Sequence, residues 1–256
     1  MKVFDFKKYL YGLKGRLNAD EGIVFGDGNT EISSVQVSWT ASLESIENAG
    51  RTGANLMLIH ETLLLPSRDM PLDYLSWPAN RNRIKALATR GISVIRFHGT
   101  MDEICVLDDF AGALGLDEPS VSEPGYIKLY DIAPAGIEEL AAAVKKSLGM
   151  ERIRVVAPFN PPEKIKRVAL PWGGMGLFLN ASYQAELLKH EPDAFISGEA
   201  DSYAMGFAAD SGIYLIETGH EISENIGIKN FSERISGELE DVKVSYFENK
   251  PPFRYE

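Results

Sequence analysis

The chain has 256 residues, 45% hydrophobic and 25% charged, the composition of a folded protein with one or two cores rather than a disordered one. Its formal net charge of −11 argues against general nucleic-acid binding, although a bound cation would let an anionic small molecule approach. The single cysteine, Cys105, cannot form an internal disulfide and reads as a small buried residue. Charges interrupt every apolar run, so neither a signal core nor a membrane span is expected and the cytoplasm is the expected location.

Phe6, Leu10, Leu13 and Leu17 recur at helical spacing and predict a helix over 4–17. Gly22 to Gly28 reads as a short strand closed by a turn, and Val35 to Trp39 as an alternating strand. Thr40 or Ser42 can cap a helix over 42–52 that ends near Gly50 and Gly53. Leu56 to Ile59 is apolar throughout, which suits a strand buried on both faces of a parallel sheet. A helix over 78–90 leads to another apolar strand, Ile92 to Phe97. Residues 117–134, with Pro119, Pro124, Gly125 and Pro134, form the most linker-like stretch. Ile137, Leu140, Ala141, Val144 and Leu148 share a helix face. Val155–Val156 and Val168–Leu170 read as strands, and Gly173 to Gly176 as a turn leading into a helix over about 177–189. Ala194–Ser197 and Ile213–Ile216 are two more short buried strands. Alternating strands and helices predict an α/β fold with mostly parallel sheets, and their recurrence in both halves suggests two similar lobes.

Chemical groups collect at the predicted strand ends. Strand 56–59 runs into His60 and Glu61, and strand 92–97 into His98, with Asp102 four residues on. Strand 194–197 runs into Glu199 and Asp201, and strand 213–216 into Glu217 and His220, with Glu224 four residues on. Ligands of α/β sheets bind beyond the carboxyl ends of the strands. Three of the four histidines fall there, in the company of carboxylates that suit zinc, manganese or iron. The competing reading is a set of acid–base residues without metal. If the segments are helical, the four-residue spacing puts both groups on one face. Glu199 and Asp201 read either as ligands of metal or substrate or as a solvated loop. The glycine turn, Gly174 included, reads either as a plain tight turn or as a substrate contact at a helix start.

Five blocks resemble the dinuclear metal-centre hexameric proteins, or Nif-three-like family, over about residues 4–235. They are Asp20 to Asp27, Ala49 to Glu61, His98 to Asp102 with Leu114–Leu116 following, Asp193 to Glu199, and Gly219 to Glu224. The resemblance implies two α/β lobes of similar α/β/α layering, with a metal site in the cleft between them. One lobe would be 1–99 plus 222–256 and the other 100–221. It also implies that His60, Asp102, His220 and Glu224 ligate metal and that Glu224 bridges two ions. Glu61 stands where the family has a second ligating histidine, a change that favours manganese, magnesium or iron over zinc. His98 is either a ligand or a residue that orients one, and Tyr203 lies near a usual histidine. The implied cofactor is one or two divalent ions (Mn, Fe, Zn or Mg) per chain, and the implied assembly is a homohexamer.

The leading functional expectation is a dinuclear metal-dependent hydrolase of a phosphoester or cyclic amide-like bond, acting on an anionic small molecule. His98 and Glu199 would serve as its catalytic groups, and Gly174 and Tyr203 as substrate contacts. The GTP cyclohydrolase label often given to the family carries no weight in this reading. The alternative is a non-catalytic metal-bound scaffold or regulator.

Overall fold

The computed structural model describes residues 1–65, 71–254 and 256. It divides into two compact units, Met1–Val106 with Gly227–Asn249, and Leu107–Ile226 with Lys250–Glu256. The expected cuts at 99/100 and 221/222 therefore lie several residues early, and the last residues group with the second unit instead of the first. Two of the three passages between units, Val106/Leu107 and Ile226/Gly227, fall within continuous helical segments, where no break in the pattern marks them.

The first unit begins with α1 (Val3–Lys14), which buries Val3, Phe6 and Leu10. It stops three residues short of the expected end because Gly15 adopts φ +70° and caps it. Its sheet has the order β1 (Gly22–Phe25), β4 (Ser93–Arg96), β3 (Leu56–Ile59), β2 (Ser34–Ser38), β11 (Lys243–Phe247). Every pairing is parallel except β1 with β4. Helix α2 (Leu43–Thr52) is capped by Ser42, whose hydroxyl accepts from Ser45 N. Helix α3 (Pro78–Arg90) starts on proline, whose missing N–H costs nothing at a first turn. Ile46, Ala49 and Leu87 from these helices pack on Met57, Ile59 and Val94 of the sheet. The sequence reading missed β11. Its alternating KVSYF places no fully buried side chain, so it lacks the apolar run that marks the inner strands.

The second unit contains α5 (Leu107–Ala113), β5 (Val121–Glu123), β6 (Ile127–Ala135), α6 (Ile137–Leu148), β7 (Arg154–Val156), β8 (Ile165–Ala169), α7 (Ala181–Leu188), β9 (Ala194–Ser197), α8 (Ser202–Asp210) and β10 (Tyr214–Glu217). Sheet order is β5-β6-β8-β9-β10-β7. Only β8/β9 and β9/β10 are parallel, so this sheet is mixed where mostly parallel pairing was expected. One cause is the antiparallel edge strand β7, and the other is the stretch 117–134. Rather than a linker it is a β5–β6 hairpin, turned at Pro124, Gly125 (φ +82°) and Tyr126 (φ +66°). Proline and glycine serve tight turns as well as linkers. The helix expected over 177–189 is likewise shorter. Two 3₁₀ turns, Gly173–Gly176 and Phe178–Asn180, precede α7. Leu129, Ala169, Phe195 and Leu215 meet Leu187, Ala204 and Ala208 in the core. Helix α9 (His220–Glu238) gives its first turns to this unit and the rest to the first.

Candidate metal centre

In the first unit, β3 and β4 end side by side, with Ile59 paired to Arg96. Their carboxyl ends therefore deliver His60 and His98 to one place, with ring centroids 4.8 Å apart and an angle of 65° between planes. His60 is fully buried and its N–H donates to the Ser38 and Trp39 carbonyls. A short helix, α4 (Gly99–Met101), and a π turn over Asp102–Val106 follow His98. His98 itself lies outside the helix, so Asp102 reaches the site through the π turn and not along one helix face as the spacing suggested. Asp102 Oδ1 lies 3.5 Å from His60 Nε2, and Glu61 Oε1 lies 3.5 Å from His98 Nε2. His60, His98 and Asp102 each offer one donor atom, all within 4.8 Å of one another.

Residues that the sequence reading did not single out hold this arrangement. Glu21 Oε1 accepts from His98 N and Thr100 N, both at 2.8 Å, and its Oε2 accepts from Thr100 Oγ1 at 2.6 Å. Arg96 Nη1 donates to Asp20 Oδ2 at 2.6 Å, and its Nε to the His60 carbonyl at 3.2 Å. Asp20 Oδ2 also lies 3.5 Å from His98 Nδ1.

In the second unit, α9 opens on His220, so His220 and Glu224 do share a helix face, with Nε2 and Oε1 3.3 Å apart. Glu199, just past β9, places Oε2 3.1 Å from His220 Nδ1. The Gly173–Gly176 turn packs against them. A Cβ on Gly173 would stand 1.8 Å from Glu224 Oε1, and one on Gly174 would stand 3.1 Å from His220 Cε1. Gly173 N donates to Ser223 Oγ at 2.9 Å, and Ser223 Oγ donates to the His220 carbonyl at 2.8 Å. The glycines therefore make room for the two donors. Burial, ahead of the neighbouring Glu199 and Glu224 charges, raises the Glu221 carboxyl above the usual range, against the pull of its own backbone N–H and of His220.

Other groups at the strand ends have structural partners. The Asp201 carboxylate caps α8, accepting from Tyr203 N, Ala204 N and Phe178 N, and so is a helix cap where a ligand or solvated loop was expected. Glu217 is paired with Arg154. Tyr203 is exposed, with its ring against Phe178 at 5.8 Å.

Residue spacing tests whether the donors suit a metal. Gaps of 3.3 and 3.5 Å between imidazole nitrogen and carboxylate oxygen exceed a charge-assisted hydrogen bond of about 2.8 Å. Two donors each about 2.1 Å from one tetrahedral ion stand about 3.4 Å apart. Imidazoles and carboxylates at these gaps fit a divalent cation.

Comparison with known proteins agrees with the architecture. The family model of Duf34/NIF3 (NGG1p interacting factor 3) matches residues 16–252. A Chlamydia pneumoniae protein named GTP cyclohydrolase 1 type 2 homolog is 23% identical over 238 residues, covering 91% of this chain and 90% of that one. Among solved structures, protein ybgI, of unknown function, superposes with a TM-score of 0.82 at 22% identity, covering 99% of this chain and 100% of that one. A Bacillus cereus protein related to NIF3 gives 0.79 at 14% identity, covering 100% and 99%.

Proposed function

We propose that this chain, which belongs to the Duf34/NIF3 family, is a divalent-metal-dependent hydrolase. It would hold one or two ions through His60, Glu61 and Asp102 of the first unit and His220 and Glu224 of the second. One observation carries the reading: in each unit an imidazole and a carboxylate at strand ends stand 3.3–3.5 Å apart, as donors around a shared cation do. Two carboxylates beside one imidazole in the first unit, and one beside one in the second, make hard donor sets, which favour manganese, magnesium or iron over zinc. When bound, a divalent ion supplies Lewis acidity towards a substrate oxygen.

The remaining roles fall to the chain's own side chains. Glu199 is half exposed and adjoins His220, so it is placed to accept a proton from an attacking water. Gly174 leaves open backbone beside His220, and Tyr203 offers an exposed ring. Both would contact the substrate. The bond cleaved is a phosphoester or a cyclic amide-like bond in an anionic small molecule.

Elemental analysis of gently purified protein is expected to give one or two equivalents of divalent metal. A panel of phosphoesters and cyclic amides should then reveal turnover that a chelator abolishes and Asp102→Ala removes. Turnover indifferent to both treatments, or protein that takes up no metal, refutes the reading.

A further inference from the structure

We propose that Asp20 and Arg96 are positioning residues that present His98 Nε2, beside His60, Glu61 and Asp102, as a further donor to a divalent ion in the first unit. The proposal rests on the metal-binding reading, and it assigns His98 to coordination rather than proton transfer.

The main chain at His98 is held first. Glu21 accepts the N–H of His98 and of Thr100, and the Thr100 hydroxyl, so one carboxylate clamps the segment that leaves β4. Asn18 N donates to the same carboxylate at 2.6 Å, tying the clamp to the loop before β1. The imidazole is then fixed at its two nitrogens. Nδ1 faces Asp20 and Nε2 faces Glu61, each at 3.5 Å. Asp20 is immobilised by Arg96, and Arg96 by the His60 carbonyl. One guanidinium thus registers the His98 ring against the strand end that carries His60. Asp20 beside Nδ1 would accept the N–H of that nitrogen when Nε2 ligates the ion, the tautomer of a ligating histidine.

The second unit repeats the pattern at the ends of its own strands. His220 has the exposed Glu199 (48% exposed) at Nδ1 and the sheltered Glu224 (4%) at Nε2. His98 has the exposed Asp20 (51%) at Nδ1 and the sheltered Glu61 (18%) at Nε2. In both, an outer carboxylate orients the ring and an inner one shares the donor side, the arrangement of a histidine backed by a carboxylate. Arg96 Nη2 also lies 3.9 Å from Glu61 Oε2, offsetting one negative charge among the clustered donors.

The test titrates Zn²⁺ alone into metal-stripped full-length protein by calorimetry and counts imidazoles on the loaded protein by X-ray absorption. His98→Ala is expected to weaken a binding phase by about 100-fold or more and to lower the imidazole count by one. Asp20→Asn should weaken it by about 10-fold, with the melting temperature of the metal-free protein unchanged and partial rescue in Asp20→Glu. The melting temperature also guards against a misfolded His98→Ala, in which case Asp20→Asn and Asp20→Glu carry the test. Wild-type binding with unaltered affinity and imidazole count in His98→Ala overturns the proposal and leaves the metal reading standing. Wild type that binds no Zn²⁺ brings down both.

Discussion

Gly173 holds φ +49° with its missing side chain aimed at the Glu224 carboxylate. Gly173→Ala forces a left-handed alanine, at about 1–2 kcal/mol, and pushes Glu224 away from His220. Its unfolding free energy should fall by about 2 kcal/mol or more, and its metal affinity should fall with it. Gly149→Ala is the control. That glycine has φ +66° with open space around it, so only the backbone cost of about 1 kcal/mol and no change in metal affinity are expected. Calorimetric melting and metal titration of the two variants separate steric exclusion at the site from general backbone strain. At this scale the sequence reading drew out His60, Asp102, His220 and Glu224 because each follows an apolar strand run. Asp20, Glu21 and Arg96 were not legible as partners of His98. Asp20 and Glu21 reach it only because β1 folds back antiparallel on β4, which joins residues more than seventy positions apart, and Arg96, on β4 itself, acts through Asp20.

Among the elements, α8 shows what a strand-end carboxylate can be other than a ligand. Burial tends to raise the Asp201 carboxyl, but three backbone N–H groups outweigh it and hold the pKa below the usual Asp range. A carboxyl lowered on folding contributes stability that is present above its unfolded pKa of about 3.9. That stability is lost as pH falls through the lowered folded value. Asp201→Ala should therefore cost about 1 kcal/mol at pH 7, and its urea midpoint should converge on wild type as pH drops below 4. A difference that stays constant down to pH 2 would contradict the capping account. The inner strands 56–59 and 194–197 were legible to the residue, because burial on both faces demands continuous apolar runs. The β5–β6 hairpin and β11 were not. β5 and β11 bury no side chain, and β6 buries only Ile127, Leu129 and Tyr130 before turning outward, so the pattern that distinguishes strand from loop is diluted.

For the whole molecule, the family resemblance leads to a homohexamer, and mass photometry at micromolar concentration is expected to show six chains; a monomer there would refute it. Among the described residues no helix is long and apolar enough to cross a membrane. The sequence suggested two lobes through the recurrence of strand–helix alternation, and two of the crossing points were hidden within α9 and where the π turn runs into α5. The late position of β11 has a further consequence for biosynthesis. β2 leaves the ribosome early but pairs on one side with β11, at Lys243–Phe247. The intervening chain includes most of the second unit. Throughout translation, then, residues 34–38 present an open parallel edge of fully buried-type residues, the kind of edge that recruits foreign strands. Vectorial synthesis delivers most of the second unit before β11, so the sheet of the first unit closes only late in synthesis.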